Sequence, residues 1–304
     1  MTSKPMARFT PDDIKFTYSP QHDPIGTVVP GEKFVVETED CFSGRFRDPA
    51  GFTSENVEWL NRNLDGVTGP IYVDGAKPGD VVAITLHDVA ITTPGSVAIS
   101  PCTDPTPSDW WSQWYGCKSY PIENGHLLFD DKIRIPIKPL IGCIATAPER
   151  ETVLSRMEGD YGGNMDCNEM SAGATVVLPV GVVGAYLYFG DAKAVMGDGE
   201  IVQAPEVGTE ITASVEVRPK PASMNWPRVE SADALTTVVS DNTLDRAVGM
   251  AFSELLGWVV EDYGWDREQA ALLLAMVAQT GVCQTANSLH TGKCTVPRAV
   301  LSIR

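Results

Sequence analysis

The sequence predicts a mainly β protein, with sandwich or jelly-roll-like β regions and a C-terminal pair of antiparallel helices, hence α+β overall. Three observations lead there. A turn-then-strand phrase recurs four times, as "PGEKFVVETED" from Pro30, "PGDVVAITLHD" from Pro78, "AGATVVLPVGV" from Ala172 and "VGTEITASVEV" from Val207. Each sets a glycine at a turn before a β-branched run with partial period-2 alternation. The 27 glycines and 22 prolines fall mostly between such runs, which suits many short connections and disfavours alternating βαβ units. Convincing helical periodicity is confined to the last quarter of the chain.

Taken in order, "SENVEWLNRNL" from Ser54 allows a short helix inside the β region. Between roughly 100 and 130, "PCTDPTPSDWWSQWYGCKSYPIENG" is rich in proline, tryptophan and polar residues without periodicity. It reads as a long loop, and loops of that length are often lids or binding loops. The stretch "NTLDRAVGMAFSELLGWVVEDYG" places Leu244, Val248, Ala251, Leu255 and Trp258 on one helical face and stops at Gly264. In "DREQAALLLAMVAQTG", Asp266 caps a second helix with Gln269 as its capping-box partner, and Gly281 is expected to close it. The expected division is a β-rich region over 1–240 carrying the long loop, and a helical hairpin with the C-terminal segment over 241–304.

Charge narrows the function classes. With 40 acidic against 23 basic residues, the formal net charge of -17 repels nucleic acid and anionic membranes and leaves small neutral or cationic ligands open. The start of the chain has no apolar run behind its basic residues, and no stretch approaches the ~18 apolar residues of a membrane span. The reading is a cytoplasmic protein. Seven scattered cysteines (41, 102, 117, 143, 167, 283 and 294) without a C-x-x-C pair fit reduced thiols better than a disulfide framework. No G-x-S-x-G elbow, phosphate loop or dinucleotide fingerprint is present. The four histidines (22, 87, 126 and 290) form no metal-ligand pair, and His87, at the end of a strand, is the most site-like.

The chemistry concentrates between Met157 and Glu200. Seven carboxylates (Glu158, Asp160, Asp166, Glu169, Asp191, Asp198 and Glu200) share that stretch with one basic residue, Lys193. Converging carboxylates raise one another's pKa unless a cation or a shared proton compensates. Two strand-like runs, "ATVVLPV" and "GAYLYFG", lie between the first acids and the second, so the chain can return Asp191 beside Asp166. Exposed, solvated acids around a Gly-containing turn are the other reading of the same residues. Cys167, between Asp166 and Glu169, sits where negative charge disfavours a thiolate.

These segments resemble a known family. "GGNMD" (162–166), "GAYLYFGDAKAVMGDGE" (184–200), "GVTGPIYVDGAKPGD" (66–80) and "IRIPIKPLIGCIATAP" (133–148) together are similar to the acetamidase/formamidase family of amide hydrolases. "VVETEDCFSGR" (35–45) and the tail "GVCQTANSLHTGKCTVPRAVL" resemble its terminal segments. The resemblance implies a β-rich, sandwich-like fold, a divalent metal (zinc, calcium or manganese), a homo-oligomer, and hydrolysis of a small carboxamide such as acetamide, formamide or an amino-acid amide. Carried over by position, it implies Asp166, Asp191 and Asp198 as metal ligands. From the chemistry that an amide needs, Asp40 and Glu200 are expected in proton transfer with Lys193 as a further catalytic group, and Tyr161, Gly163 and Asn164 toward the substrate. Two departures stand out: Tyr161 and Lys193 occupy positions where many relatives carry histidine. Both remove a nitrogen ligand, leaving an oxygen-dominated site or a fixed lysine cation in place of a metal. Two alternatives stay open: a non-catalytic ligand-binding sandwich with a structural metal, and a metal-free amidase using Cys167.

Overall fold

In the computed structural model, residues 6–99 and 115–301 are described. Trp110, Trp111, Trp114 and Cys102 lie outside the described residues.

Among the described residues, two nine-stranded sheets carry the fold. The first runs, in spatial order, Ala7–Phe9, Lys33–Thr38, Thr209–Pro219, Asp80–Ile91, Thr175–Pro179, Arg228–Glu230, Ala234–Asp241, His290–Pro297 and Gln279–Gln284. The four turn-then-strand phrases of the sequence supply its second to fifth members, side by side. The second sheet runs Glu158–Gly159, Gly162–Asn164, Leu140–Ala145, Leu187–Lys193, Glu206–Val207, Gly95–Ile99 and Gly116–Tyr120. Val67–Val73 also pairs with Leu187–Lys193 and carries Gly26–Val28 on its other edge. Pairings are antiparallel except Ala7–Phe9 on Lys33–Thr38 and Gly26–Val28 on Val67–Val73.

The sheets stack face to face because each strand sends alternate residues to one side. Ile211, Ala213 and Val215, with Phe34, Val36, Ile84 and Leu86, meet Ile71, Ile141, Ile144, Leu187, Phe189 and Val207 of the other sheet in one buried cluster. The strand Leu187–Lys193 is buried at all seven positions, as expected for a strand with a neighbour on each edge and cover on both faces. It is the strand on which the site is built.

Helix α1 (Ser54–Leu60) starts where Thr53 Oγ1 accepts the Asn56 N–H at 3.2 Å. Helix α2 (Leu244–Tyr263) buries Ala247, Ala251, Leu255, Leu256, Trp258 and Val259, so the expected stripe is rotated slightly and Leu244 and Val248 sit at its margin. It ends at Gly264, whose φ of 64° is the left-handed cap. Helix α3 (Arg267–Val277) begins at Asp266, which accepts the N–H groups of Glu268 and Gln269 at 3.1 Å. Both helices share an apolar cluster with Leu235, Val239, Cys294 and Val296 of the first sheet.

Two expectations are corrected. Gly281 does not close α3, which stops at Val277. The chain goes straight into the edge strand Gln279–Gln284, where Gly281 pairs with Lys293 and a Cβ there would lie 2.7 Å from Lys293 Cε. Nor is 116–130 a loop: Gly116–Tyr120 pairs with Gly95–Ile99, and Ile122–Glu123, His126–Leu128 and Arg134–Pro136 form a small three-stranded sheet. The partner edges supply what the local periodicity lacks. The first sheet also continues through Ala234–Asp241 into the C-terminal strands, so the chain on either side of residue 240 shares one sheet. Among the described residues, six cysteines are free and buried, and no helix is long and apolar enough to cross a membrane.

Candidate active site

Leu187–Lys193 delivers the site through a break in its alternation. Phe189 and Ala192 both enter the core although they are three residues apart, which a regular strand does not allow. Asp191 absorbs the difference with a φ of 52°. Facing it, on Leu140–Ala145, a Cβ on Gly142 would lie 2.3 Å from Asp191 Oδ2 and 2.4 Å from Asp166 Oδ1. Only glycine lets two carboxylates close over that backbone. Asp166 is held there by its own N–H and that of Met165, which reach the Gly142 carbonyl at 3.4 and 3.0 Å.

Lys193 Nζ, from the same strand as Asp191, enters between the two acids. It donates to Asp166 at 2.7 Å and Asp191 at 2.5 Å, and lies 3.4 Å from Glu200 and 3.6 Å from Glu206. All five side chains are buried. Asp65 completes the group, its Oδ2 accepting from Asn164 Nδ2 at 3.0 Å, while Asn164 Oδ1 accepts the Cys143 thiol at 3.4 Å. Asp65, Asp166, Asp191 and Glu200 all have positive φ (60°, 47°, 52° and 28°). Such strained backbones persist where the surroundings over-determine them, and they gather at active sites.

The side chains line a cavity of about 260 Å³ whose walls also include Cys41, Arg156, Gln203, Asn287 and Ser288. Burial, reinforced by the Asp166 charge, pushes Glu200 well above the usual carboxyl range. Burial and Asp191 do the same to Glu206 and to Asp65. Asp166 is raised by burial and by Asp191 but drawn back by Lys193, to about 6. Burial would raise Asp191 as well, yet Lys193 and the hydrogen bonds of Glu206 and Asp166 bring it below its ordinary value. Lys193 stays charged, because four carboxyl groups outweigh its burial. Two acid pairs therefore flank one cation, Asp166 with Glu200 and Asp191 with Glu206, each pair keeping a proton near neutral pH.

A donor set for a metal lies on the same wall. Cys41 Sγ and carboxylate oxygens of Asp65 and Asp191 lie within 4.8 Å of one another, all buried. Burial and the acids Glu206 and Asp191 push the Cys41 thiol up. A bound cation reverses that preference, since metals take the deprotonated ligand.

Of the residues expected from sequence, Asp166, Asp191, Lys193, Glu200 and Asn164 converge. Gly163 contributes backbone, its φ of 98° and the Met157 carbonyl 2.2 Å from a would-be Cβ allowing only glycine. Asp198 does not join them: it is exposed and binds Lys293 at 2.9 Å and Asn168 at 2.8 Å. Asp40 is buried behind the wall, accepting the N–H groups of Phe42 and Gly44 and the Arg47 Nε at 2.6 Å. It braces the turn that carries Cys41. Tyr161 packs on Tyr18 and lines a separate surface groove. His87 is exposed, bonded to Ser214 Oγ at 2.9 Å. Cys167 is buried against Glu169 at 3.0 Å and does not line the cavity. Sequence reasoning missed Cys41, Asp65, Glu206 and Arg156. Cys41 stands in the quoted "ETEDCF" and Asp65 one residue before "GVTGP", whereas Glu206 and Arg156 carry no local signal.

A sequence model of the acetamidase/formamidase family matches residues 4–130 and 136–288. The chain belongs to that family. Its fold is that of a predicted acetamidase/formamidase from the thermophile Thermoanaerobacter tengcongensis, at 30% identity and a TM-score of 0.89 over 97% of both chains. It is also that of an acetamidase from Bacillus halodurans, at 28% identity and 0.88, covering 97% of this chain and all of that one. A formamidase of Methylophilus methylotrophus is 24% identical over 231 residues. That match takes in 58% of this chain and only about half, 56%, of the curated relative.

Proposed function

We propose that the protein hydrolyses the C–N bond of a small carboxamide to carboxylate and ammonia in the Lys193 cavity. The observation that carries the reading is the arrangement of two carboxyl–carboxylate pairs around one buried cation, inside a cavity of small-molecule size, in a member of a family named for amide hydrolysis. Amide hydrolysis needs a base for water, a positive field for the carbonyl oxygen and an acid for the departing nitrogen. Asp166, ionised and poised at about 6, takes the proton of the attacking water. Glu200, protonated beside it, donates to the leaving nitrogen. The hydrogen bond between the two returns the proton afterwards, so each turnover leaves the pair unchanged. Lys193 keeps Asp166 and Asp191 ionised and holds both in place. Asn164 fixes Asp65.

The metal that the family resemblance implies finds its donors in Cys41, Asp65 and Asp191, in place of the expected set of Asp166, Asp191 and Asp198. A thiolate with two carboxylates suits a zinc-like ion better than calcium, which takes oxygen donors. When bound, such an ion supplies the positive centre for the carbonyl oxygen and lowers the pKa of water. The experiment is ammonia release from formamide, acetamide and amino-acid amides, with metal content measured on the same preparation. Turnover that is lost on chelation and recovered with zinc supports the whole reading. Full turnover with less than about 0.1 ion per chain keeps the acid pairs and Lys193 and discards the metal. No ammonia from any small amide removes the proposal.

A further inference from the structure

The cavity has one charged side chain to which the chemistry above gives no task. Arg156 lines it half-buried, and its charge acts on Asp65, but it makes no hydrogen bond or ion pair with any of the described residues. Elsewhere in the molecule, Arg8, Arg47, Arg62, Arg218 and Arg246 all hold carboxylates. An unpaired guanidinium in a chain of net charge -17 is therefore not short of acidic partners.

Its position is built. The preceding residue, Ser155, is fully buried and fixed at four points: its N–H donates to the Phe16 carbonyl at 3.0 Å and its Oγ to the Leu64 carbonyl at 3.3 Å. Its own carbonyl accepts the Tyr18 hydroxyl at 2.8 Å and the Cys143 thiol at 3.6 Å. On the other side, Met157 N–H closes a turn onto the Leu154 carbonyl at 2.9 Å. The side chain leaves this anchored turn into a wall shared with Asn287 and Ser288, both neutral donors. Asn287 Nδ2 reaches the Asn164 carbonyl at 3.4 Å and Ser288 Oγ reaches Met157 Sδ at 3.6 Å, both long contacts that a carboxylate can replace.

We propose that Arg156 receives the carboxylate of the substrate, so that the preferred amides carry a second, anionic group one or two carbons from the carboxamide. This deepens the amidase reading and rests on it. A guanidinium recognises a carboxylate through two parallel N–H···O bonds, which fixes orientation as well as affinity. The negative charge does not forbid this: fields from distant surface groups are screened beyond about 8 Å at physiological ionic strength, and within the cavity Lys193 Nζ lies within 3.6 Å of four of the acids and offsets part of their charge.

The test uses pairs of like shape: malonamate against isovaleramide and succinamate against 4-methylpentanamide, in which a carboxylate replaces an isopropyl group. Wild-type kcat/KM is expected to favour the anionic member of at least one pair by about tenfold or more. In Arg156→Gln that ratio should fall about tenfold, mostly through KM, and Arg156→Lys should restore part of it. A wild-type preference for the neutral member of both pairs overturns the proposal, as does an unchanged ratio in Arg156→Gln. Calorimetric titration of malonamate and succinamate into the intact protein separates this from the reading beneath it. Binding that Arg156→Gln abolishes, without turnover of any amide, retains the anion site and fails the amidase; no binding of either anion to wild type fails the anion site.

Discussion

Gly142→Ala is the sharpest perturbation of the site that leaves every charged group in place. The new methyl would lie 2.3 Å from Asp191 Oδ2, 2.4 Å from Asp166 Oδ1 and 2.7 Å from the Asp191 carbonyl. Ordinary contact needs a little over 3 Å, so both carboxylates must retreat by roughly 1 Å, and misplacement of that size costs on the order of 10²-fold in rate. The expected fall in kcat/KM is about 10²-fold, or ~2.7 kcal/mol of transition-state stabilisation. Stability should fall by about 1–3 kcal/mol, the usual cost of forcing a methyl into a packed site. Ammonia release gives the first quantity and a denaturant titration the second. Gly249→Ala, on α2 with nothing within 4 Å of the added methyl, is the control and should leave kcat/KM alone while gaining about 0.5–1 kcal/mol. A Gly142→Ala protein with wild-type kcat/KM would refute the claim that Asp166 and Asp191 act at close quarters.

Three further outcomes follow from the geometry. Lys193→Met leaves Asp166 and Asp191 without their cation, so both carboxyl pKa values rise; the acid limb of the pH–rate profile should move to higher pH and stability should drop by about 3–5 kcal/mol. An unchanged profile would return Lys193 to a passive role. Glu158 is held protonated by burial and the Asp166 charge, its pKa raised from 4.5 to about 9, so wild type loses stability as pH rises through that window. Glu158→Gln cannot titrate and should gain on wild type by about 3 kcal/mol between pH 4.5 and 7; melts with equal pH dependence would contradict this. Lys293 ties Asp198 at 2.9 Å and Glu169 at 3.0 Å, bracing the segment before Glu200. Lys293→Met should lower kcat about tenfold with little change in KM, and a change confined to KM would show that the brace does not position the acid.

Local pattern made the first sheet legible, because its long strands have one face in the core and one turned away from it. The four glycine-turn phrases name four adjacent members of it, and Gly264 and Asp266 mark helix ends in the sequence as they do in the structure. The strands between residues 116 and 128 were illegible because their partners, not their own residues, make them strands. Within the site, the density of acids on one lysine announced Asp166, Asp191, Lys193 and Glu200. Asp198 and Asp40 share that local character, but tertiary packing gives each a cation of its own, Lys293 and Arg47. Asp65, Cys41, Glu206 and Arg156 come from separate segments and enter the cavity only through sheet pairing, which no one-dimensional spacing displays.

The central claim is that Asp166 accepts the proton of water while its neighbours hold it in place. Asp166→Asn keeps the size and can still accept from Lys193, but it has no charge and no basicity. The most direct measurement is ammonia release by this variant and by wild type under identical conditions, with folding checked by melting. A loss of about 10²-fold or more in kcat with a folded protein is the predicted result. Wild-type turnover by a folded Asp166→Asn protein would contradict the account.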